Sequence, residues 1–371
     1  MSSQNFLEID LGRLGQNFRN IKKFIGPETG IIAVVKANAY GHGLREVGKR
    51  FSEEGADFLA VADFEEAMIL RGEILHTPIL ILSWVPKENI ESAIFNDLRM
   101  TVYDFQSARS INREAAKLGL KAKVHLKIDT GMHRLGIDAT NKEDMEGIRD
   151  FFEALMKLPN LEIEGIFSHF ADVSDRRYSQ KQLDVFASVL LLAQQIFGER
   201  LPKIHMASSA ATKLLPQSYF DLVRPGLALY GVAPEWPENK MVMKFYAQVM
   251  QIKNLEKGET LGYKRAYRAA KKMKIAVLGV GYSDGFDRGF SNCGYIYIKG
   301  QKCPVVGMVC MNQTIVDVSK IKEIKIGDKA LLLGEGKDGI IRASDWAKML
   351  GTNIHEVVSR IPEHVVRIYK S

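Results

Sequence analysis

The chain has 371 residues, 46% hydrophobic and 26% charged, which excludes a disordered or collagen-like polypeptide and allows a large buried core without disulfides. A length of this order fits two domains, or one large barrel with an addition. The net charge of +7 is uneven: residues 1–240 carry 29 basic and 32 acidic side chains, residues 241–371 carry 22 and 12.

Through residue 230, short apolar runs rich in β-formers recur at Ile31–Val35, Phe58–Ala62, Ile79–Leu82, Met100–Tyr103, Val124–Ile128, Ile163–Phe167, Ile204–Met206 and Leu222–Val223. Helical spacing of apolar residues lies between them over Leu44–Gly55, Phe64–Arg71 and Tyr178–Phe197. Eight strands alternating with helices predict a parallel sheet with helical crossovers, and eight is the strand number of a closed (β/α)₈ barrel. Counting alone leaves an open doubly wound sheet as the alternative. Residues 235–241, where Pro and polar residues cluster, read as a linker. Beyond it, Val242–Ile252, Lys274–Val280, Tyr295–Ile298, Val305–Met308, Thr314–Val318 and Lys329–Leu333 read as strands, with one helix at Ala343–Leu350. The expected organisation is a barrel over residues 1–238 and a mainly-β domain over residues 239–371. Gly334–Gly339 matches GxGxxG but lies between two strands and opens no helix, so it reads as a turn rather than a dinucleotide site.

Cys293, Cys303 and Cys310 form no CxxC pattern, and an odd number in a chain this long points to a reducing compartment with no structural zinc. The segment MSSQNFLEIDLGRL has no basic stretch followed by an apolar run, and no stretch approaches a membrane span. Asn312-Gln313-Thr314 fits a glycosylation sequon, which matters only in a secreted protein. A lysine-rich solvated surface accounts for the basic C-terminal part, which carries no helix-turn-helix or zinc-finger pattern. A cytoplasmic protein is expected, with no bound metal, no membrane span and no nucleic-acid partner.

In a (β/α)₈ barrel the active site lies at the C-terminal ends of the strands. The residues following these runs include Lys36–Gly43, Asp129–Arg134, Ser168 and His169, Ser208 and Ser209, and Arg224–Gly226, with Lys127 inside the fifth run. Chemically capable side chains thus collect at one rim. Lys36 ends an apolar strand. A lysine among apolar groups loses solvation of its ammonium form, which frees the amine to condense with an aldehyde. Taken alone, a strand-end lysine more commonly extends to water.

The segment Val34-Val35-Lys36-Ala37-Asn38-Ala39-Tyr40-Gly41-His42-Gly43 resembles the pyridoxal phosphate attachment motif of the alanine racemase family. Further blocks follow in family order: Val124–Gly136, Gly165–Ala171, Val223–Gly231, Leu261–Tyr263, Gly279–Gly285 and Gly307–Gln313. The resemblance covers nearly the whole chain. It implies an isomerase that interconverts L- and D-alanine with pyridoxal phosphate by a two-base mechanism, supplying D-alanine, a peptidoglycan precursor. Lys36 would hold the cofactor and serve as one base, and Tyr263 as the base on the opposite face. A phenol needs nearby positive charge for this task, and Lys264 and Arg265 adjoin it. Arg224 would face the pyridine nitrogen. A guanidinium only donates, so it leaves that nitrogen unprotonated and the ring a weaker electron sink. His169 would hydrogen-bond Arg224. Tyr40, Ser209 and the amides of Gly226 and Leu227 would hold the phosphate. Arg134 and the Met311 backbone would hold the substrate carboxylate. Lys127 matches a lysine that many relatives carbamylate.

The resemblance further implies a homodimer in which Tyr263 and Met311 come from the other subunit. Departures from the family pattern are Ser208 before Ser209, Asn312 after Met311, His133 where glycine is usual, and Glu363 where some relatives place a phosphate-binding tyrosine. They bear on substrate range and cofactor affinity. Racemases of serine, lysine or several amino acids, a non-enzymatic pyridoxal phosphate protein and a nucleic-acid binder are the competing readings.

Overall fold

The structure is a computed structural model that describes residues 3–141, 144–199 and 201–371. Eight parallel strands close into a ring: Gly30–Val34, Phe58–Val61, Ile79–Ile81, Leu98–Val102, Ala122–Asp129, Leu161–Phe167, Lys203–Ser208 and Leu222–Arg224. The last pairs back to the first through Leu222 opposite Gly30. This is the closed barrel, and the open-sheet alternative is removed. Every residue of Gly30–Val34, Phe58–Val61, Ile79–Ile81 and Leu98–Val102 is buried, because helices cover the outside and side chains fill the inside. That is why these segments read as unbroken apolar runs.

The helices are set by ordinary local chemistry. Asp63 caps Phe64–Arg71 by accepting from the Glu66 amide at 2.9 Å, and Asp104 caps Phe105–Leu118 by accepting from Ser107 at 2.8 Å. The expected helix over 178–197 is Arg176–Phe197, capped by Asp175. Among the described residues, no helix is long and apolar enough to cross a membrane.

The second domain is built on the long strand Met243–Leu255, which pairs antiparallel with Asn5–Asp10, Lys329–Gly336 and Met273–Leu278. Asn5–Asp10 also lies parallel to the C-terminal strand Val366–Lys370. The first strand of the chain is therefore a stave of the second domain's sheet, although it precedes the barrel in sequence. Val305–Met308 is not a strand. The strand there is Gln301–Pro304, paired with Tyr295–Ile298, and Val305 keeps only an isolated bridge to Val316. Gly307, with a φ of 80°, breaks the extended run. A second helix, Ile354–Ser359, follows Ala343–Leu350. The glycine-rich segment at 334–339 is a hairpin turn, with Gly336 opposite Gly339.

The linker is packed against the barrel. Trp236 is buried and its indole donates to the Ser209 carbonyl at 2.9 Å, while Asn239 donates to the Ala228 carbonyl at 2.9 Å. The helix Ile354–Ser359 lies over the turn that follows Lys36, where a β-carbon on Gly41 would collide with the Val358 carbonyl.

Candidate active site

A cavity of about 1120 Å³ opens at the C-terminal rim of the barrel. Lys36, Tyr40, Lys127, Arg134, His169, Ser209, Arg224, Gly226 and Leu227 all line it. The second domain contributes Ser344, Ala347, Lys348 and residues 352–355 of the same chain. Tyr263 and Met311 do not line it. They lie on the second domain with 70% and 57% of their surface exposed. Glu363 is exposed and outside the lining as well, so its carboxylate does not oppose an anion in the cavity.

Lys36 lies two residues beyond the first barrel strand and begins an unusual turn. Ala37, Asn38, Ala39 and Tyr40 have φ values of 55°, 51°, 53° and 53°, four consecutive non-glycine residues in the left-handed region. The turn is held from several sides. The Ala39 amide donates to Val35 at 2.8 Å and the Gly41 amide to Ala37 at 3.0 Å. Asn38 accepts the Leu44 amide at 2.8 Å, and Glu66 accepts the Asn38 amide at 2.9 Å. Strain of this kind persists only where the surroundings over-determine it. Burial, then the Arg134 charge, lowers the pKa of Lys36; Glu66 opposes this and Arg224 adds to it.

Tyr40 is buried against Tyr230, ring centroids 4.9 Å apart, and burial raises its pKa, so its hydroxyl remains a neutral donor. The Ser209 hydroxyl oxygen accepts the amides of Gly226 at 2.8 Å and Ala228 at 3.2 Å, which leaves its own hydrogen for a further acceptor. A β-carbon on Gly226 would collide with the Tyr40 hydroxyl, so glycine keeps this wall open.

Arg224 is buried at the end of the eighth strand, and burial draws its pKa down to about 9, which leaves it charged at neutral pH. One terminal nitrogen donates to His205 Nδ1 at 2.6 Å and to the His205 carbonyl at 2.9 Å. The other donates to the Ser168 carbonyl at 2.6 Å and the Met206 carbonyl at 3.2 Å, and lies 3.2 Å from His169 Nδ1. Burial, then the charges of Arg224, Arg134, Lys127 and Lys36, pushes the His169 pKa well below its ordinary value, so His169 is neutral. Burial, then Arg134, Arg224 and Lys36, brings Lys127 down to about 8, against a smaller opposing effect of Asp129.

Arg134 is placed by a carboxylate. Asp129 Oδ1 accepts the amides of Gly131, Met132 and His133 at 2.9, 2.9 and 3.1 Å, and Oδ2 accepts that of Arg134 at 3.0 Å. His133 has a φ of 53°, the conformation for which glycine is the usual residue. Asn312 donates to the Ser283 hydroxyl at 2.7 Å, and that hydroxyl donates to the Met311 carbonyl at 2.8 Å, so this departure orders the Met311 loop.

The cavity fits pyridoxal phosphate. A primary amine, two hydroxyls with protons to give, and a buried guanidinium surround one space dominated by the cations Lys36, Lys127, Arg134 and Arg224. Such a set suits a phosphorylated aldehyde and a carboxylate.

Residues 9–234 match the family model for the alanine racemase N-terminal domain, and residues 242–369 match that for the alanine racemase C-terminal domain. The chain belongs to the alanine racemase family. Alanine racemase 2 of Caldanaerobacter subterraneus subsp. tengcongensis is 38% identical over 98% of this chain and 94% of its own length. The alanine racemase of Methanococcus maripaludis is 38% identical over 98% of this chain and 97% of its own. The crystal structure of alanine racemase from Streptomyces lavendulae superposes with a TM-score of 0.93 at 30% identity, covering 100% of this chain and 98% of that one. That from Bartonella henselae, which carries covalently bound pyridoxal phosphate, gives 0.88 at 29% identity with both chains fully covered.

Several residues of this alanine racemase site escaped the sequence reading: Glu66, His125, Glu164, His205 and His355. His125 and His205 carried a signal, since each stands inside an apolar barrel strand where a polar side chain must find partners. Glu66 had none, because a carboxylate near a turn is usually a surface residue; Asp129 was read as a rim residue, but its hold on the amides of residues 131–134 was not.

Proposed function

We propose that this alanine racemase family member interconverts L- and D-alanine with pyridoxal phosphate held in the rim cavity. The observation that carries this reading is the convergence of the Lys36 amine, the Arg224 guanidinium and the Tyr40 and Ser209 hydroxyls on that cavity. Bound there, pyridoxal phosphate supplies an aldehyde that condenses with amines and a ring that withdraws electrons from the substrate Cα–H bond.

Lys36 holds the cofactor and, once released, its amine moves a proton at Cα on one face. Its lowered pKa favours the free amine. The Tyr263 hydroxyl of a second copy moves a proton on the opposite face. Tyr40, Ser209 and the backbone of Gly226 and Leu227 hold the phosphate. Arg224 would meet the pyridine nitrogen as a donor that cannot supply a proton outright. His169 keeps Arg224 in place. Arg134 and the Met311 backbone of the second copy orient the carboxylate, and carbamylated Lys127 steadies Arg134. The working form is a homodimer in the cytoplasm, with its active sites shared between subunits.

The test is incubation with L-alanine and pyridoxal phosphate in D₂O, followed by resolution of the enantiomers. D-Alanine carrying α-deuterium, abolished in Lys36→Ala and sharply reduced in Tyr263→Phe, is the expected result. Deuterium exchange with retained configuration would remove Tyr263 from its role. No reaction with alanine but turnover of serine or lysine would move the substrate.

A further inference from the structure

Four adjacent barrel strands carry a row of polar side chains below Arg224, of which His205, His125 and Arg99 are buried and Glu164 is half-buried. His205 Nε2 lies 2.9 Å from His125 Nδ1, and His125 Nε2 lies 3.3 Å from Glu164 Oε2. Arg99 grips Glu164, Nε to Oε2 at 3.0 Å and a terminal nitrogen to Oε1 at 3.3 Å. Arg99 also donates to Asp97 at 2.7 Å, and Asp97 is exposed, as is its neighbour Lys123 at 3.3 Å in part. The row therefore runs from the cavity through the barrel to its opposite end. Aromatic rings wall it in: Phe167 stacks on His205 at 4.8 Å and 10°, and Phe58 meets His125 edge-on at 5.5 Å. A β-carbon on Gly165 would collide with the His125 ring, so glycine on the neighbouring strand is what admits the imidazole.

The two ends dictate the protons between them. A guanidinium only donates, so His205 Nδ1 must accept from Arg224. A neutral imidazole carries one N–H, and burial lowers the pKa of both histidines. The His205 proton therefore sits on Nε2 and is donated to His125 Nδ1. The His125 proton then sits on Nε2 and is donated to Glu164, which accepts only. Burial works to raise the Glu164 pKa, and the hydrogen bonds from His125 and Arg99 overcome it and hold it at about 2. We propose that Glu164 is a positioning residue for Arg224: it fixes the tautomers of His125 and His205 so that N–H groups all point from Arg224 toward Glu164. The four terminal N–H groups of Arg224 are directed at His205 and the carbonyls and ring beside it, which leaves Nε–H for the cavity. Without Glu164, His205 can turn its proton toward Arg224, two donors then face each other, and the guanidinium shifts. The tautomer assignment stands on this geometry alone; its effect on the cofactor rests on the function proposed above.

The experiment is nitrogen NMR of the full-length protein labelled with ¹⁵N-histidine, first without cofactor. The chain has eight histidines, and His125→Asn and His205→Asn assign the two signals. Wild type is expected to show both rings neutral and protonated on Nε2, with no titration between about pH 6 and 8. Glu164→Gln retains an acceptor and is expected to keep this pattern, while Glu164→Leu is expected to lose it at His205. Nδ1–H at His205 in wild type would overturn the proposal whether or not Glu164→Leu folds, and if Glu164→Leu fails to fold, Glu164→Ala is read in its place with the same expected loss. Unchanged tautomers in a folded Glu164→Leu would overturn it too. With the holoenzyme, kcat is expected to fall about 10- to 100-fold in Glu164→Leu, with rescue in Glu164→Gln, and the ¹⁵N shift of a labelled cofactor pyridine nitrogen to move only in Glu164→Leu. Expected tautomers in a protein that does not racemise alanine would keep the relay and sink the reading of the reaction.

Discussion

Glu66 accepts the Asn38 amide on Oε1 at 2.9 Å, and the same carboxylate accepts the Ala62 amide on Oε2 at 3.0 Å. One side chain thus ties the left-handed turn after Lys36 to the next barrel stave, and its charge is felt by the lysine. Burial raises the Glu66 pKa, and the amides of Ala62 and Asn38 counter this. Glu66→Leu leaves two amides without acceptors, with an expected loss of about 2–4 kcal/mol in urea unfolding. It also removes the group that raises the Lys36 pKa. The acid limb of the kcat profile, which reports the Lys36 amine once it is released, is therefore expected to move to lower pH. A limb that stays in place would show that Lys36 does not sense Glu66.

Lys127 places function and stability in opposition. Its folded pKa of about 8 lies below its ordinary 10.5, chiefly through burial and then Arg134. Between these values the unfolded chain holds a proton that the folded chain has released, so this group makes stability rise with pH across that window. Below the window, the folded protein carries an unfavourable buried charge. Lys127→Met is expected to be more stable than wild type at pH 7, by on the order of 1–2 kcal/mol after allowance for cavity water, and the gap is expected to narrow toward pH 10. Denaturant midpoints at the two pH values check this. A variant less stable than wild type at pH 7 would mean that Lys127 does not carry a positive charge in place. Carbamylation would remove that charge and put a negative one beside Arg134, the free amine joining carbon dioxide with loss of a proton.

The barrel was legible in the sequence because its strands are buried on both sides and read as unbroken apolar runs, as in Gly30–Val34. The rim residues were legible because each follows such a run. Sheet membership was less so. Asn5–Asp10 is a short segment of mixed apolar and polar residues, and nothing local says that its partners lie at residues 243–247 and 366–370. The helix Ile354–Ser359 did leave a trace: Asn353 caps it by accepting the Glu356 amide at 3.0 Å, an Asn-x-x-Glu start followed by only six helical residues. The tautomers of His125 and His205 were beyond reach, since they follow from contacts between strands up to 80 residues apart.

His133 departs from the family at a position where the backbone itself prefers the family's choice. Its φ of 53° is left-handed, and its amide is one of the four gathered by Asp129. A side chain there costs about 1–2 kcal/mol, partly offset by the freedom glycine has in the unfolded chain. His133→Gly is expected to raise stability by about 0.5–1 kcal/mol, and His133→Val to lower it. Both follow from unfolding midpoints. Equal midpoints for the Gly and Val variants would show that backbone strain at 133 is negligible.

Tyr263 and Met311 make a different demand. They are well exposed, and neither lines the cavity that holds Lys36 of the same chain. If a second copy supplies them, each site combines Lys36 from one subunit with Tyr263 from the other. Two inactive variants can then complement. A hybrid of Lys36→Ala and Tyr263→Phe has one site lacking both groups and one site with both intact. Random reassortment of equal amounts makes half the dimers hybrid, and half the sites in a hybrid are intact. About a quarter of wild-type activity is expected after dissociation and reassembly. Activity that stays at the level of the separate variants would mean that each chain uses its own Tyr263, reached by a movement of the second domain over the barrel. The two arrangements also differ with dilution, since only the shared site loses activity at concentrations where the subunits part.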